Sequence, residues 1–242
     1  IIEHGAILIA TGGEEYTPEE YEYQNSRRII TQRRLEEQLA GQSPSPDDTI
    51  VMIQCVGSRE EPRNYCSRIC CQDALKNAIA IKEQSPETQV VILYRDIRAY
   101  GLKEKYYKKA RDLGVHFFLF TPDKKPVVSP EENSVKVRFD CTMLGREMVV
   151  DADYVVLSTG IVPHSETENI ARAYKLTCNL DGFFLEAHVK LRPVDFPSEG
   201  YFLAGLAHAP KNIEETINQS LAAAGRVGAL LSQEKLTVSG VI

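Results

Sequence analysis

The sequence predicts an α/β protein built on parallel sheets, and three features of its apolar residues support this fold class. Apolar runs ending in small or polar residues recur along the chain, as expected for strands, at 5–13, 49–55, 89–94, 115–120 and 154–160. Apolar residues recur at helical spacing in 74–82, and a Lys- and Tyr-rich helical segment follows at 103–113. From residue 49 onwards, strands and helices alternate strictly as βαβαβ, which is the topology of a dinucleotide-binding domain.

The remaining segments fit around this central run. Polar and apolar residues alternate over 134–154, which predicts an antiparallel hairpin appended to the sheet. The last third of the chain contains a short buried strand at 200–205 and a long, Ala-rich amphipathic helix at 213–231. No internal repeat longer than a short motif is apparent in the sequence.

A Pro- and Ser-rich stretch marks the first predicted domain boundary. A helix predicted over 30–39 ends at Gly41, and Ser43-Pro-Ser-Pro46 then breaks the chain. We therefore expect one domain piece before residue 47 and a new domain after it.

The composition is that of a globular protein and limits its partners. At 43% hydrophobic and 26% charged, it lies far from the disordered and fibrous classes. A net charge of -6 would repel a phosphate backbone, and the Lys and Arg residues are scattered, so we expect no nucleic acid partner. The apolar runs are far shorter than the ~20 residues of a membrane span, so no span is expected. The chain starts without Met or a leader, and we interpret it as the middle of a larger protein.

The cysteines predict a metal site. Four of the six Cys residues form the pattern Cys55-x10-Cys66-x3-Cys70-Cys71, in a loop between a buried strand and a helix. Four thiolates are the number that saturates a [4Fe–4S] cluster, which predicts such a cluster on these residues. The start of the following helix would favour an anionic cluster, and the Arg side chains of the same loop would offset its charge. Uneven Cys usage in a chain without a secretion signal also favours the reducing cytoplasm.

Three other interpretations of the Cys loop remain open. Structural zinc is disfavoured because the adjacent Cys70 and Cys71 would strain a tetrahedral site. A thiol–disulfide site needs only two of the four Cys, but the loop lacks Cys-x-x-Cys. Four buried Cys acting as small hydrophobic residues would require their clustering in a polar loop to be a coincidence.

Nicotinamide binding is not expected, although the topology would suit it. The turn after Ile53 offers Gly57 alone where several glycines should cradle a pyrophosphate. The Cys loop occupies that place, so we expect a nucleotide-binding fold in which a metal cluster replaces the nucleotide. His208, before the last helix, either contacts a ligand or is a satisfied loop histidine.

Several phrases give the chain a family resemblance. They are Ile9-Ala-Thr-Gly12, Gln54-Cys-Val-Gly-Ser-Arg59 with Tyr65-Cys-Ser-Arg68 and Cys70-Cys71, Leu157-Ser-Thr-Gly160, and Phe202-Leu-Ala-Gly205 with Ala209-Pro-Lys211. Together they resemble the thioredoxin reductase-like part of the A-type subunit of heterodisulfide reductase, a family of FAD and iron–sulfur electron-transfer proteins. The Cys block is the specific part, since the Thr-Gly phrases occur in two-dinucleotide-domain flavoproteins generally.

The resemblance implies an FAD/NAD(P)-binding, thioredoxin reductase-like fold assembled from three chain segments. Residues 1–46 and 161–242 would be the two pieces of an FAD-type domain, and 47–160 a Rossmann-like domain inserted between them. The Gly-rich segment that holds the FAD pyrophosphate would precede residue 1, so the N-terminal FAD-binding part would be missing.

The resemblance also implies a flavin site. Thr11 and Gly12 would lie near the flavin, while Gly205, Ile213 and Glu214 would face its ring and ribityl chain. A helix start there would stabilise negative charge on a reduced flavin. Leu206 stands where many relatives have an Asp that binds the ribityl hydroxyls, so the flavin contact there must differ.

The implied function is electron transfer between a flavin and iron–sulfur clusters, within a larger oxidoreductase complex of several subunits, with no catalytic acid–base side chain. The sequence leaves open whether the chain forms an oligomer. Two alternatives remain open. One is a flavin-dependent thiol–disulfide oxidoreductase that uses a Cys pair, and the other is a non-catalytic docking scaffold.

Overall fold

The computed structural model describes residues 3–41 and 44–234, which divide into two compact units. Unit 1 comprises the described parts of Ile1–Glu14 and Ile161–Ile242, and unit 2 comprises those of Glu15–Gly160. The strands are β1 (Ile7–Ile9), β2 (Gly13–Glu15), β3 (Ile29–Thr31), β4 (Thr49–Val56), β5 (Gln89–Tyr94), β6 (His116–Leu119), β7 (Val127–Pro130), β8 (Val135–Cys141), β9 (Arg146–Ala152), β10 (Tyr154–Thr159), β11 (Ile161–Pro163) and β12 (Tyr201–Leu203). The α-helices are α1 (Gln32–Leu39), α2 (Cys70–Gln84), α3 (Glu104–Asp112), α4 (Thr167–Tyr174) and α5 (Ile213–Leu231).

Unit 2 is centred on a five-stranded sheet in the order β3-β10-β4-β5-β6, and every neighbouring pair is parallel. One face of the sheet packs against α1, α2 and α3, through residues such as Leu35, Leu75 and Ala110. The other face packs against the antiparallel sheet β7-β8-β9, through residues such as Val137 and Phe139. Because both faces are covered, the central strands are apolar on both sides, which explains their continuous apolar sequences.

The strand order gives this sheet a topological switch point. From β4 the chain runs through α2 to β5 on one side, while β10 pairs with β4 on the other side. In open α/β sheets, ligands bind outside the carboxyl ends of the strands at such a point. Cys55 lies at the end of β4, at this edge of the sheet.

The structure confirms the α/β class, the βαβαβ run from β4 to β6 and the hairpin of β8 and β9. It adds β7, which makes the hairpin a three-stranded sheet, and it starts α2 at Cys70, four residues before the predicted helix.

The first domain division differs from the predicted one after residue 46. β3 pairs with β10, and α1 packs on α2, so the segment 15–46 lies in unit 2 with the Cys loop. The Pro- and Ser-rich stretch around position 45 is a connection within that unit rather than a boundary between units. The first residue of this stretch, at position 43, and its neighbour at position 42 lie outside the described residues.

Unit 1 contains a parallel pair of β1 and β12, the strand β11 with the first two residues of its partner β2, and the helices α4 and α5. Its core contains Phe184 and Phe196, whose rings meet edge to face at a centroid distance of 5.7 Å. None of the helices in the described residues combines the length and apolarity that a membrane crossing requires.

Candidate functional site

The backbone at the end of β4 is irregular where the Cys loop begins. Ile53 pairs with Leu157 and Val56 with Thr159, so Gln54 and Cys55 both lie opposite Ser158. Such a bulge bends a strand and re-aims a side chain. Cys55 also has a left-handed backbone, with φ 65°, which is uncommon for a residue with a Cβ. The bulge therefore gives the Cys55 side chain a direction that a regular strand would not.

Three more left-handed residues wind the loop that follows, namely Gly57 (φ 68°), Arg59 (φ 63°) and Arg68 (φ 64°). Hydrogen bonds between the backbones of Arg59 and Tyr65, at 3.0 Å, and of Glu60 and Arg63, at 3.2 Å, close it into a small hairpin. The loop thus turns back sharply and brings Cys66 towards the strand end from which it departed.

Gly57 is required by a close contact as well as by its φ angle. A Cβ at this position would lie 1.9 Å from Cδ1 of Tyr16, which no ordinary packing tolerates. Arg63 holds Tyr16 there, because its guanidinium lies 4.2 Å from the ring centroid while its Nε donates to the Gly57 carbonyl at 2.8 Å.

We expect Gly57→Ala to lower the free energy of unfolding by about 2–5 kcal/mol, since the left-handed backbone costs ~1–2 and overpacking ~1–3. The matched control is Gly145→Ala, where φ is 62° but no atom lies within 4 Å of the added Cβ. That variant should lose only the backbone contribution of about 1–2 kcal/mol. Equal losses in urea unfolding would show that the contact with Tyr16 has no effect.

Cys70 and Cys71 occupy the first turn of α2 and are 4% and 3% exposed. The preceding residue, Ile69, gives the helix no side-chain cap. The first turn therefore presents its thiols together with the positive end of the helix dipole.

The four thiols share one neighbourhood. The pKa of Cys70 is raised well above its usual value by its hydrogen bond to Cys71, by burial and by nearby Cys55 and Cys66. The same hydrogen bond lowers the pKa of Cys71 to about 7, while burial raises that of Cys55 to about 11. All four are free thiols, as are Cys141 and Cys178.

Polar groups contact three of the four sulfurs. Arg59 Nη1 lies 3.7 Å from Cys55 Sγ and also donates to Asp96 Oδ1 at 2.5 Å. The Arg68 backbone N–H donates to Cys66 Sγ at 3.3 Å, and Cys71 Sγ lies 3.8 Å from the Asp96 carbonyl. Asp96, just after β5, therefore contacts both the Cys loop, through Arg59, and the start of α2, through Cys71.

A buried polar network, which sequence reasoning missed, joins the strand ends behind this site. Ser158 Oγ accepts from the side-chain amides of Gln54, at 2.6 Å, and Gln32, at 3.0 Å. Asn77 of α2 in turn donates to Gln32 Oε1 at 2.8 Å. These side chains fix β4, β10, α1 and α2 at the edge that carries Cys55. Their only sequence signal is the presence of polar residues inside otherwise apolar segments.

Gly160, the last residue of the Leu-Ser-Thr-Gly phrase, lies where another segment approaches the backbone closely. A Cβ there would lie 3.1 Å from both Ser58 Cβ and Ser67 Oγ. The approaching group is the Cys loop itself. Ser58 Oγ is buried without a hydrogen-bond partner in the described chain, and so is Gln54 Oε1.

The residues predicted to contact a flavin all lie in unit 1. Thr11 and Gly12 follow β1 and Gly205 follows β12, so they share the carboxyl edge of the parallel pair. The Gly205 N–H is already bonded to Gln219 Oε1 at 2.9 Å. Ile213 and Glu214 begin α5, and Ile213 is 78% exposed.

The first turn of α5 is capped within the chain. Asn212 and Glu215 form a reciprocal capping box, in which each side chain accepts from the other residue's backbone N–H. Any ligand at this helix start must therefore contact groups other than the backbone N–H groups of Asn212 and Glu215.

His208 is a satisfied histidine. One ring nitrogen lies 2.8 Å from Glu186 Oε2 and the other 2.8 Å from Gln219 Nε2. Burial lowers its pKa, so it stays neutral over a wider pH range than an exposed histidine.

The Cys set fits a cubane cluster in its donor chemistry. Within the described residues, no group of three or more His, Cys, Asp or Glu side chains is placed to hold a single metal ion. A [4Fe–4S] cluster offers a separate iron to each thiolate, so its ligands surround it rather than converge on one point. Four free thiols, an uncapped helix start and an arginine beside the sulfur of Cys55 are suitable surroundings for an anionic cluster.

No family model matches the chain, but named relatives do. It is 36% identical over 259 residues to the A-type subunit of the "H(2):CoB-CoM heterodisulfide,ferredoxin reductase" of Methanothermobacter marburgensis, covering 100% of this chain and 39% of the relative. It is 38% identical to the A-type iron-sulfur subunit of the "CoB--CoM heterodisulfide reductase" of Methanocaldococcus jannaschii, covering 97% and 38%. The chain thus spans about two fifths of the length of these relatives.

Solved structures identify the fold. The thioredoxin reductase of T. acidophilum superposes with a TM-score of 0.64 at 12% identity, over 94% of this chain and 66% of that chain. The enzyme of Lactococcus lactis gives 0.61 at 15% identity. The chain therefore has the thioredoxin reductase fold, and along its whole length it is related to a part of the A-type subunit of heterodisulfide reductase.

Proposed function

We propose that this chain is the electron-transfer part of a heterodisulfide reductase-like subunit, in which Cys55, Cys66, Cys70 and Cys71 bind a [4Fe–4S] cluster. The observation that carries the proposal is the position of these free thiols. They lie at the switch point of the parallel sheet, where the pyrophosphate of a dinucleotide would bind if the loop were Gly-rich. The names of the relatives, as iron–sulfur and reductase subunits, support it.

The protein groups around the thiols have separable roles. Cys55 is aimed by the bulge in β4, and Cys70 and Cys71 are fixed by α2. Arg59 lies against the sulfur of Cys55 and offsets negative charge there. Burial of three of the four sulfurs excludes water from that side of the site. A bound [4Fe–4S] cluster would supply one-electron redox chemistry.

Unit 1 is proposed to contribute to an FAD site. Thr11, Gly12 and Gly205 line one edge of a parallel pair, and the start of α5, with Ile213 and Glu214, follows closely in sequence. Electrons would pass between this flavin and the cluster, and then to other subunits of the complex. The proposed location is the reducing cytoplasm, because four of the six Cys crowd into residues 55 to 71, which is typical of metal or redox chemistry rather than of a disulfide framework.

A reductive titration of the reconstituted chain, followed by electron paramagnetic resonance, tests the electron-transfer role. We expect one electron per chain to bleach the visible absorption and to produce a paramagnetic signal. A centre that binds iron but stays silent down to the potential of strong reductants would indicate a structural cluster instead.

The contact between Cys70 and Cys71 favours a second candidate, a thiol–disulfide site. The lowered pKa of Cys71, caused by the hydrogen bond from Cys70, would make it the more reactive thiol of the pair. Thiol titration of the metal-free chain before and after reduction would detect a reversible disulfide. If the thiol count does not change, this candidate is excluded.

A further inference from the structure

Two buried polar atoms without a hydrogen-bond partner flank Cys55. Within the described residues, the buried side-chain atoms that lack a partner are Gln54 Oε1, Ser58 Oγ and Arg192 Nε. Arg192 lies in unit 1, and its guanidinium pairs through another nitrogen with Asp195. Gln54 and Ser58 are only 1% and 2% exposed. Native proteins leave few polar atoms in this condition, and a redox role is one reason for which they do.

Of the two atoms beside Cys55, only the Ser58 hydroxyl can donate a hydrogen bond. Gln54 Oε1 is an acceptor, and the amide nitrogen of the same side chain already donates to Ser158 Oγ at 2.6 Å. A hydroxyl both donates and accepts, and its hydrogen rotates towards the acceptor that is available. An anionic sulfur can therefore accept a hydrogen bond from Ser58, whereas it would repel the lone pairs of Gln54 Oε1.

A β-turn holds Ser58 beside Cys55. The Ser58 N–H donates to the Cys55 carbonyl at 3.3 Å, and Gly57, in the third position of the turn, has φ 68°. A positive φ at this position is typical of a type II turn, and the first and last Cα atoms of a β-turn lie within about 7 Å of each other. The turn thus keeps Ser58 close to the cysteine at the end of β4.

The returning arm of the Cys loop packs beside the same serine. A Cβ on Gly160 would lie 3.1 Å from Ser58 Cβ and 3.1 Å from Ser67 Oγ, so the two serine side chains are neighbours. Ser67 directly follows Cys66 in the chain. Ser58 therefore lies between the arm that carries Cys55 and the arm that carries Cys66, and it is shielded there from solvent.

Other groups of the loop already donate to its sulfurs. The Arg68 backbone N–H donates to Cys66 Sγ at 3.3 Å, and Arg59 Nη1 lies 3.7 Å from Cys55 Sγ. Hydrogen bonds to the sulfurs are among the factors that set the reduction potential of an iron–sulfur centre. Each donor stabilises the negative charge that reduction adds, so a further donor raises the potential.

We propose that Ser58 donates a hydrogen bond to a sulfur of the Cys-bound centre and thereby raises its reduction potential. The inference rests on the proposed cluster site and adds a residue, besides the four cysteines, that tunes it. Ser58 stays protonated throughout, and no proton or group is transferred. Without the centre, the hydroxyl is buried with no partner in the described chain, which destabilises the fold.

The first measurement uses the metal-free chain and the variant Ser58→Ala, which removes the hydroxyl and keeps the Cβ. The matched control is Ser85→Ala, at a serine that is also buried in unit 2 but whose hydroxyl accepts from Thr88 Oγ1 at 2.8 Å. In urea unfolding, we expect Ser58→Ala to reach or exceed the midpoint of the wild type, because no hydrogen bond is lost. Ser85→Ala should unfold at a lower urea concentration, because it leaves the Thr88 hydroxyl unpaired.

The second measurement is a redox titration of the same three chains after reconstitution with iron and sulfide. Ser58→Ala should keep the wild-type iron content and show a lower potential, by up to ~59 mV for a tenfold change in the one-electron equilibrium constant. Ser85→Ala should keep the wild-type potential. Electron-nuclear double resonance should detect an exchangeable proton coupled to the reduced centre, present in the wild type and in Ser85→Ala but absent from Ser58→Ala. A purely structural role for Ser58 would leave that proton in place.

Two outcomes would overturn the role of Ser58 and leave the cluster itself supported. One is a Ser58→Ala chain with full iron content that has the potential and the proton coupling of the wild type. The other is a metal-free Ser58→Ala chain that loses as much stability as Ser85→Ala, because the hydroxyl would then already be satisfied by a buried water. A wild-type chain that binds no iron would instead contradict the proposed function, and the role of Ser58 with it.

Discussion

Replacing Cys55 by Ser will prevent the chain from retaining a full cluster after reconstitution with iron and sulfide under nitrogen. A cubane cluster needs four thiolates, and a serine hydroxyl is a poor substitute, so the iron content should fall well below the expected value of about four per chain. The same result is expected for Cys66→Ser, Cys70→Ser and Cys71→Ser, because the four thiols share one neighbourhood.

Cys178→Ser is the matched control, since it exchanges the same atoms at a half-buried free thiol in unit 1. It should keep the full iron and sulfide content. If Cys178→Ser and Cys55→Ser lose iron equally, the metal is not bound by the Cys loop.

The same variants separate a redox role from a scaffold role. The ends of β4 and β10 and the helices α1 and α2 are joined by the buried network around Ser158, which includes no Cys side chain. We therefore expect the Cys70→Ser/Cys71→Ser chain to keep its far-ultraviolet circular dichroism and to lose electron transfer. Collapse of the fold together with the cluster would favour the structural scaffold.

Replacing Arg59 by Gln will lower the reduction potential of the bound centre. Reduction adds one negative charge, and the guanidinium 3.7 Å from Cys55 Sγ stabilises that charge. Two unit charges at ~4 Å interact by about 4 kcal/mol at an effective dielectric constant of ~20, and screening by solvent and by Asp96 reduces this. A remaining effect of about 1.4 kcal/mol corresponds to a shift of ~59 mV for one electron.

Replacing Asp96, the ion-pair partner of Arg59, should shift the reduction potential in the opposite direction. Asp96 Oδ1 accepts from Arg59 at 2.5 Å and so cancels part of its charge. Asp96→Asn should therefore raise the potential, and Arg59→Lys should keep most of the wild-type value. These potentials are read from redox titrations of variants with equal iron content. Equal potentials for Arg59→Gln and the wild type would show that this arginine only positions the loop.

The main elements of the fold could be predicted because their sequences carry strong periodicity. β4 and β5 are continuous apolar runs, and α5 is a long amphipathic helix, so each was located to within one or two residues. β3 could not be predicted. Its three residues, Ile29–Thr31, are too few to show a period, and only pairing with β10 across the chain makes them a strand.

The candidate site was predictable in composition but not in shape. The spacing of the four Cys is visible in the sequence, whereas the left-handed backbone at Cys55, Arg59 and Arg68 is not, because non-Gly residues rarely adopt it. The start of α2 at Cys70 was also missed, since no capping residue precedes it.

The iron and acid-labile sulfide content of the chain shows most directly whether Cys55, Cys66, Cys70 and Cys71 bind a [4Fe–4S] cluster. The protein is purified without oxygen, reconstituted, and analysed together with its visible spectrum. We expect about four iron and four sulfide per chain, with a broad band near ~400 nm that bleaches on reduction. A chain that takes up no iron under these conditions would show that the four Cys bind no cluster, and it would leave the Cys70–Cys71 pair as the candidate redox site.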